Sequence, residues 1–325
     1  MIKITFDGFL THPCDCMEIR MNVDDTVKAI KDMEIRGAGR IARAGAAAIG
    51  DMARSQKWKN IDEMRSDIKT AKDKLLASRP TAVSLLNGIQ FTLKGFDKCT
   101  DVKEAKELLI RNSDDFIRAS NEAVEKIGVI GSRRIKDGAT ILTHCNSSAA
   151  LECIKVAHRS GKKIKVYATE SRPWRQGILT VNELAKEGID VTMIIDSAVR
   201  SVMKRIDIVI VGSDTITSNG AVINKIGTSQ LALAAYESRV PFVVCGETYK
   251  ISPQTLFGDM VTIEERDISE IVRKGEVPDS VKVFNPVFDS TPARYIDGIV
   301  TERGIVSPGS VYEIMVQQFG EIEFK

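Results

Sequence analysis

The hydrophobic pattern of this chain changes its period at Asp137-Gly138, and that change limits the folds open to it. From Val27 to about Ile130, apolar residues recur at the spacing of amphipathic helices. After Gly138, short continuous apolar runs alternate with stretches of helical spacing. Continuous apolar runs are typical of parallel strands that helices cover on both faces. The chain is therefore predicted to be helical first and α/β afterwards.

The predicted elements follow from these two periods. Before Asp137-Gly138, helices are predicted at about 59–77, 80–95 and 102–128. After it, helices are predicted at about 148–160, 180–187, 197–205 and 227–238. Strands are predicted at Thr140–Thr143, Ile164–Ala168, Val191–Ile195, Ile208–Val211, Phe242–Val244 and Gly298–Val300. Strand–helix alternation predicts a doubly wound parallel sheet with its site at the carboxyl strand edge. The fold class is therefore α/β, with an N-terminal helical domain followed by a Rossmann-like doubly wound parallel-sheet domain.

Three regions are predicted along the chain. Residues 1–24 form an unassigned N-terminal extension, in which Met1–Leu10 could be a short strand. Residues 25–130 form the helical domain, and residues 131–325 form the Rossmann-like domain that would carry the chemistry. Within the latter, the proline-bearing stretch at 279–292 is predicted to be an irregular connection.

Composition excludes several classes of protein. The net charge of +2 implies no broad surface for nucleic acid. No apolar run approaches the roughly 18 residues of a membrane span, and the N-terminus does not resemble a secretory signal. The six cysteines are scattered and resemble no disulfide framework, and the three histidines lack ligand spacing. We therefore expect a cytoplasmic protein with no metal and no cofactor.

A cysteine follows the first predicted strand and precedes a helix. Because a helix start offers free N–H groups and a positive dipole, we expect the pKa of the Cys145 thiol to be lowered. Asn146, Ser147 and Ser148 could cap that helix and bind phosphate oxygens. His144 is predicted to be a packed residue, since neighbouring strand residues point to opposite faces. The alternative is a buried cysteine beside ordinary helix caps.

Polar residues also follow the predicted strand Ile208–Val211. Asp214 is a candidate general acid if its strand lies beside the strand that precedes Cys145. Asn224, Lys225 and Lys250 lie after later turns, where each lysine could hold a phosphate as a point charge. The alternative for these residues is a solvated turn acid with surface lysines.

The segment Arg36–Ala42 (RGAGRIA) fits a dinucleotide-binding pattern, but a helical pattern rather than a strand precedes it. Two interpretations remain, a kink between helices or an anion cradle. In the cradle, Gly37, Ala38 and Gly39 would bring backbone N–H groups close to an anion, and Arg36 would add charge. Arg79, near another helix start, could supply a second guanidinium.

Taken together, these motifs resemble the ribose-1,5-bisphosphate isomerase branch of the initiation-factor-2B-like superfamily. The resemblance covers about residues 27–325 and is carried by Met33–Arg43, Arg79–Ser84, Leu142–Ala150, Thr169–Pro173, Val211–Thr217, Asn219–Thr228, Glu247–Lys250, Phe284–Pro292 and Thr301–Gly304. It implies conversion of α-D-ribose 1,5-bisphosphate to D-ribulose 1,5-bisphosphate, in an AMP-salvage route that feeds Rubisco. It also implies a hexamer built from dimers, and activation by AMP.

The resemblance further implies roles for individual residues. Cys145 and Asp214 would form the catalytic pair. The substrate would be bound by Arg36, Gly37, Ala38, Gly39, Arg79, Asn146, Ser147, Ser148, Asn224, Lys225 and Lys250.

Two alternatives within the same superfamily stay open. A methylthioribose-1-phosphate isomerase would share Cys145 and Asp214, but it would need a pocket for a methylthio group in place of a second phosphate site. A non-catalytic regulatory subunit of the initiation factor 2B type would bind translation factors and tends to lack both residues.

Overall fold

The computed structural model describes residues 21–255, 263–278 and 280–319. Its first part is helical and comprises α1 (Val23–Lys31), α2 (Ala38–Ser55), α3 (Ile61–Ser78), α4 (Val83–Thr92) and α5 (Val102–Ser132). α2 is rich in alanine, and Ala42, Ala46 and Ala53 are fully buried. Small side chains let α2 pack closely between α4 and α5.

Side-chain capping explains where three of these helices begin. Asn22, Asn60 and Asp101 each accept a hydrogen bond from the backbone N–H three residues further along, at 2.8, 2.9 and 3.0 Å. α2 begins differently, because Gly37 precedes it with a φ of 89° and no side chain caps it. The first N–H groups of α2 therefore remain available to a ligand.

The second part is an α/β unit. Its strands and helices are β1 (Thr140–Thr143), α6 (Ser148–Arg159), β2 (Lys165–Thr169), α7 (Gly177–Lys186), β3 (Asp190–Ile194), α8 (Val199–Val202), β4 (Ile208–Val211), β5 (Thr215–Ile216), β6 (Val222–Lys225), α9 (Thr228–Ser238), β7 (Phe242–Cys245), β8 (Phe288–Thr291), β9 (Gly298–Thr301), β10 (Gly304–Val306) and α10 (Val311–Phe319). This arrangement confirms the predicted fold class.

The main sheet has the order β10-β9-β7-β4-β1-β2-β3. All its strand pairs are parallel except β9 with β10, an antiparallel pair at one edge. β1 and β4 are direct neighbours, with Ile141 opposite Ile208. The chain moves outward from β1 in one direction through β2 and β3, and in the other through β4, β7 and β9. The crevice between β1 and β4 is therefore the topological switch point, where doubly wound sheets bind ligands.

Alternating residues of one strand enter two different cores. In β4, Ile208 and Ile210 pack into the cluster that α5 and α6 cover. Val209 and Val211 pack on the opposite face, against α8 and α9. Both faces of the strand are buried, which explains why its sequence is continuously apolar rather than alternating.

A small second sheet departs from the prediction. β5, β6 and β8 form an antiparallel sheet in the order β5-β6-β8, with Asn224 opposite Asp289. The expectation of an irregular connection at 279–292 was wrong for Phe288–Thr291. The proline content of the stretch concealed this strand, whose hydrogen-bond partner β6 is remote in sequence.

Some predictions fall where no structure is described. The strand suggested at Met1–Leu10 and the cysteines Cys14 and Cys16 lie outside the described residues. The boundaries 1–24, 25–130 and 131–325 stay predictions. Among the residues described, no helix combines the length and apolar character that a bilayer crossing requires.

Candidate active site

Cys145 and Asp214 follow the two strands that flank the switch point. Cys145 lies two residues beyond β1, and Asp214 lies three residues beyond β4. The strand ends touch, because Gly212 packs against the side chain of Ser147. The Cys145 thiol and the Asp214 carboxylate interact electrostatically across this crevice. The two candidate catalytic groups therefore face one site.

Both peptide groups of Cys145 are fixed by hydroxyls from the β2–α7 connection and from α7. Its N–H donates to Ser171 Oγ at 2.8 Å, and its carbonyl accepts from Thr180 Oγ1 at 2.6 Å. Cys145 has a φ of 66°, in the left-handed region that residues with a side chain rarely adopt. Such a conformation persists where surrounding bonds hold it, and it is typical of functional residues.

The environment of the Cys145 thiol corrects one expectation. Burial raises the pKa of Cys145, and the charge of Asp214 adds to the rise. Lys225, the Asn146 backbone N–H and Arg36 lower the pKa but do not outweigh burial. The expected lowering was wrong in its net direction, because the sequence reveals the helix start but not the loss of solvent around the thiol.

Lys225 is the strongest of the groups that lower this thiol pKa, which gives a measurable prediction. We expect Lys225→Met to raise the pKa further, because removal of a nearby positive charge disfavours the thiolate. The pH midpoint for alkylation of Cys145 by iodoacetamide should therefore move upward. Peptide mass spectrometry would isolate the Cys145 signal. The exposed Lys186→Met should leave the midpoint unchanged, and an equal shift in both variants would contradict the prediction.

His144 is a packed residue, as expected. It is buried, with Nδ1 2.6 Å from Thr169 Oγ1 and Nε2 2.8 Å from the Ile226 carbonyl. Burial lowers the pKa of His144, so the ring is neutral. Nε2 must then carry the proton, because the Ile226 carbonyl can only accept.

The three residues after Cys145 differ in their contacts. Ser147 caps α6 by accepting from the Ala150 N–H at 3.4 Å, and Ser148 is exposed in the first turn. Asn146 donates to Thr180 Oγ1 at 3.1 Å. The predicted capping of α6 is confirmed for Ser147.

A β-hairpin carries Asp214, Asn224 and Lys225. The Asp214 N–H donates to the Ile223 carbonyl at 2.9 Å, which sets the hairpin register. Asn224 is buried and donates to Thr228 Oγ1 at 3.0 Å. Lys225 is buried too, so the alternative of a surface lysine is excluded.

The Lys225 ammonium lies among aromatic and charged groups. Its Nζ is 5.2 Å from the centre of the Phe288 ring. Burial lowers the pKa of Lys225, while Cys145 and Asp214 oppose that effect. A buried cation beside a thiol and a carboxylate can hold an anionic substrate as a point charge.

Arg79 belongs to a cation cluster that the sequence revealed only in part. Its guanidinium lies 5.9 Å from the same Phe288 ring and 3.5 Å from Glu264. Arg266, on the other side of Glu264, pairs with it at 3.0 Å. Arg79 and Arg266 both reach Met33 Sδ, at 3.5 and 3.2 Å. Sequence reasoning missed Arg266 because its segment has no periodicity.

The Arg36–Gly39 segment forms the α1–α2 connection and the start of α2. Arg36 is half-buried and acts electrostatically on Cys145. Gly39 packs against the Tyr249 hydroxyl and Glu247, where a Cβ would lie 2.9 Å from the hydroxyl. Gly37 has no side-chain cap and Ala38 is the first helical residue, so no side chain caps the first N–H groups of α2, and the anion cradle stays a prediction.

Lys250 is buried but not free. Its Nζ lies 2.6 Å from Glu247 Oε2, and Glu247 Oε1 accepts from the Tyr249 hydroxyl at 3.0 Å. Burial alone would raise the pKa of Glu247, but Lys250 holds it below its usual value. Sequence reasoning gave Glu247 no role. Lys250 is therefore half of a buried ion pair whose carboxylate lies beside Gly39.

The described ranges 21–255, 263–278 and 280–319 contain no cluster of three or more histidine, cysteine or acidic side chains that could hold a metal. The groups that meet at the switch point are a thiol, a carboxylate, amides and cations. This set can move protons and bind phosphate.

Comparison with known proteins agrees with this geometry. The family model described as the initiation factor 2 subunit family matches residues 34–308. The chain belongs to this family. A ribose 1,5-bisphosphate isomerase of Methanocaldococcus jannaschii is 49% identical over 93% of this chain and 96% of that protein. One of Archaeoglobus fulgidus is 50% identical over 91% of this chain and 93% of that protein.

Solved structures of the family share the fold. A Pyrococcus horikoshii structure described as translation initiation factor eIF-2B has a TM-score of 0.77 and 34% identity, over 88% of this chain and 97% of that one. A 5-methylthioribose 1-phosphate isomerase from the same organism has a TM-score of 0.75 and 31% identity, over 91% and 87%. The isomerase relatives at 49–50% identity confirm the predictions of an enzyme and of an isomerase.

Proposed function

We propose that this enzyme converts α-D-ribose 1,5-bisphosphate to D-ribulose 1,5-bisphosphate. The observation that carries the proposal is the meeting of Cys145 and Asp214 at one switch point, beside buried or half-buried cations. An aldose–ketose isomerisation needs a proton acceptor at carbon and a proton donor at oxygen, which a thiol and a carboxyl group supply.

The charge of the site supports a substrate with two phosphates. Each phosphate carries about −1.5 to −2 charges at neutral pH. Arg36, Arg79, Lys225 and Arg266 lie within electrostatic range of the crevice or of one another. The uncapped start of α2 adds backbone donors for a phosphate. A single phosphate would not need so many positive groups.

The proposed substrate contacts follow from these positions. Arg79, Asn224 and Lys225 would hold one end of the substrate, and the α2 start the other. The proposed binding residues are Arg36, Gly37, Ala38, Gly39, Arg79, Asn146, Ser147, Ser148, Asn224, Lys225 and Lys250.

The first proposed step opens the furanose ring. The Asp214 carboxyl group donates its proton to the ring oxygen, the C1–O4 bond breaks, and the electron pair stays on O4 as a hydroxyl. The Cys145 thiolate then removes the proton from C2. The electrons of the C2–H bond form the C1=C2 double bond of an enol that keeps its C1 phosphate.

The second step completes the ketone. The Cys145 thiol returns its proton to C1, while the Asp214 carboxylate takes the proton of the C2 hydroxyl. Both groups regain their starting states, so no oxidant or reductant is consumed. Clamps at both ends of the substrate allow one thiol to serve two neighbouring carbons.

The charges around Cys145 determine how easily its thiolate forms. The negative charge of Asp214 raises the pKa of Cys145, so protonation of Asp214 removes that opposition and favours the thiolate. The reactive pair, a thiolate with a carboxylic acid, contains one proton. Lys225 and Arg36 stabilise the thiolate charge of this pair.

A direct assay tests the substrate. Purified protein is mixed separately with ribose 1,5-bisphosphate and with methylthioribose 1-phosphate, and ³¹P and ¹H NMR follow the product. We expect kcat/KM for the bisphosphate to be higher by at least about a hundredfold, because the second substrate leaves buried cations without a phosphate. Preference for methylthioribose 1-phosphate would favour that alternative, and conversion of neither would favour a regulatory subunit.

The wider role is part of the same proposal. We place the reaction in AMP or nucleoside salvage upstream of Rubisco, in the cytoplasm, with a homohexamer of three dimers and AMP as an activator. The family resemblance supports these features. Light scattering after size-exclusion chromatography would measure the assembly, and an AMP titration of kcat would test activation.

A further inference from the structure

A buried chain of hydrogen bonds joins the backbone of Cys145 to the residue after Lys225. The Cys145 N–H donates to Ser171 Oγ at 2.8 Å, and Ser171 Oγ lies 3.1 Å from Thr169 Oγ1. Thr169 Oγ1 lies 2.6 Å from His144 Nδ1, and His144 Nε2 lies 2.8 Å from the Ile226 carbonyl. The chain therefore spans the site from its thiol to its buried lysine.

The direction of every proton in this chain follows from its ends. A backbone N–H can only donate, so Ser171 Oγ accepts from Cys145 and can donate to Thr169. The Ile226 carbonyl can only accept, so His144 carries its proton on Nε2 and accepts from Thr169 at Nδ1. Each group in the chain forms a hydrogen bond with the next, and a satisfied network of this kind rigidifies the groups it joins.

Carboxylates anchor both ends of the chain. Asp196 accepts from the N–H groups of Ser171 and Arg172, both at 2.8 Å. Asp289 accepts from the Gly227 N–H at 2.7 Å, next to Ile226. The His144 ring lies directly against Gly227, where a Cβ would lie 3.0 Å from Cε1. Neither end of the chain can shift without breaking a hydrogen bond to a carboxylate.

We propose that Ser171, Thr169 and His144 are positioning residues that hold the Cys145 thiol in register with Lys225 and Asp214. They touch no reacting atom. They fix the left-handed backbone of Cys145 on one side and the strand end that carries Lys225 on the other. This inference rests on the proposed isomerisation, in which one thiol must reach two neighbouring carbons.

A pair of substitutions at Thr169 tests the chain. Thr169→Val keeps the shape of the side chain and removes the hydroxyl, whereas Thr169→Ser keeps the hydroxyl and removes a methyl. We expect Thr169→Val to lower kcat roughly 10- to 100-fold with KM little changed, because misplacement of a catalytic group affects the chemical step. Thr169→Ser should stay close to the wild-type rate.

A second readout separates positioning from general packing. Iodoacetamide alkylation of Cys145 is measured against pH without substrate. In Thr169→Val and Ser171→Ala the midpoint should rise, because a displaced thiol loses the electrostatic stabilisation that Lys225 and Arg36 give its thiolate. Ser113→Ala is the matched control, since Ser113 is a buried serine in the helical core whose hydroxyl donates to Ala46. That control should lower only the melting temperature.

Each outcome of these experiments either supports or overturns the positioning role. Wild-type kcat in Thr169→Val, or equal losses in Thr169→Val and Thr169→Ser with an unchanged Cys145 alkylation profile, would overturn the positioning role. If the wild-type protein turned over neither sugar phosphate, the proposed function would fail, while the alkylation profiles would still decide on positioning. If Ser171→Ala did not fold, the Thr169 pair would carry the test.

Discussion

Cys145→Ser is expected to lose conversion of ribose 1,5-bisphosphate by at least about a thousandfold while the protein stays folded. A serine hydroxyl is nearly isosteric with the thiol but far too weak an acid to form the base that removes a carbon-bound proton. Because Cys145 is half-buried and its peptide groups are bound by Ser171 and Thr180, the substitution preserves the local backbone.

The measurement is kcat by ³¹P NMR together with the melting temperature. Cys99→Ser is the matched control, because Cys99 is a buried cysteine in the helical part of the chain. The control should keep the wild-type rate. A Cys145→Ser enzyme with a near-normal rate would remove the thiol from the mechanism.

Asp214→Asn is expected to reduce kcat by about 10²- to 10⁴-fold, the usual contribution of a positioned acid–base group. The amide keeps the shape of the carboxyl group but cannot protonate the ring oxygen. Without ring opening, the C2 proton should also stop exchanging with deuterium oxide, whereas a loss confined to the later step would leave exchange intact.

Asp214→Asn should also change the reactivity of the Cys145 thiol, in the direction opposite to its effect on isomerisation. The charge of Asp214 raises the pKa of Cys145, so its removal lowers that pKa and shifts alkylation of Cys145 to lower pH. Alkylation at neutral pH should therefore become faster while isomerisation is lost. Asp190→Asn, on the exposed face of edge strand β3, should change neither rate. Slower alkylation in Asp214→Asn would contradict the proposed closeness of the two groups.

The six parallel strands β1–β4, β7 and β9 were predictable because each is a local pattern. Ile208–Val211 is continuously apolar, and only a strand covered on both faces makes such a run stable. His144 was recognised as a packed residue for a related reason, because side chains alternate along a strand. β8 was missed because its partner β6 precedes it by a long stretch of chain, and its own residues carry a weak signal.

Sequence motifs predicted members of the candidate site, but not how the fold brings them together. Cys145, Asp214 and Lys225 were identified from motifs and strand ends. Glu264 and Arg266 were not, because an ion-pair cluster outside any helix or strand leaves no period in the sequence. The role of Glu247 was likewise visible only in the structure, where Lys250 Nζ lies 2.6 Å from its carboxylate.

The sequence by itself determined the parallel strands β1–β4, β7 and β9 with most of the helices, the candidate thiol and carboxyl group, and the family, because these depend on local composition and on motifs. Only the tertiary structure decided that β1 and β4 are neighbours, so that Cys145 and Asp214 share one crevice. It also reversed the expected change in the Cys145 pKa. The physical reason is common to both, since strand pairing and burial depend on residues that are distant along the chain.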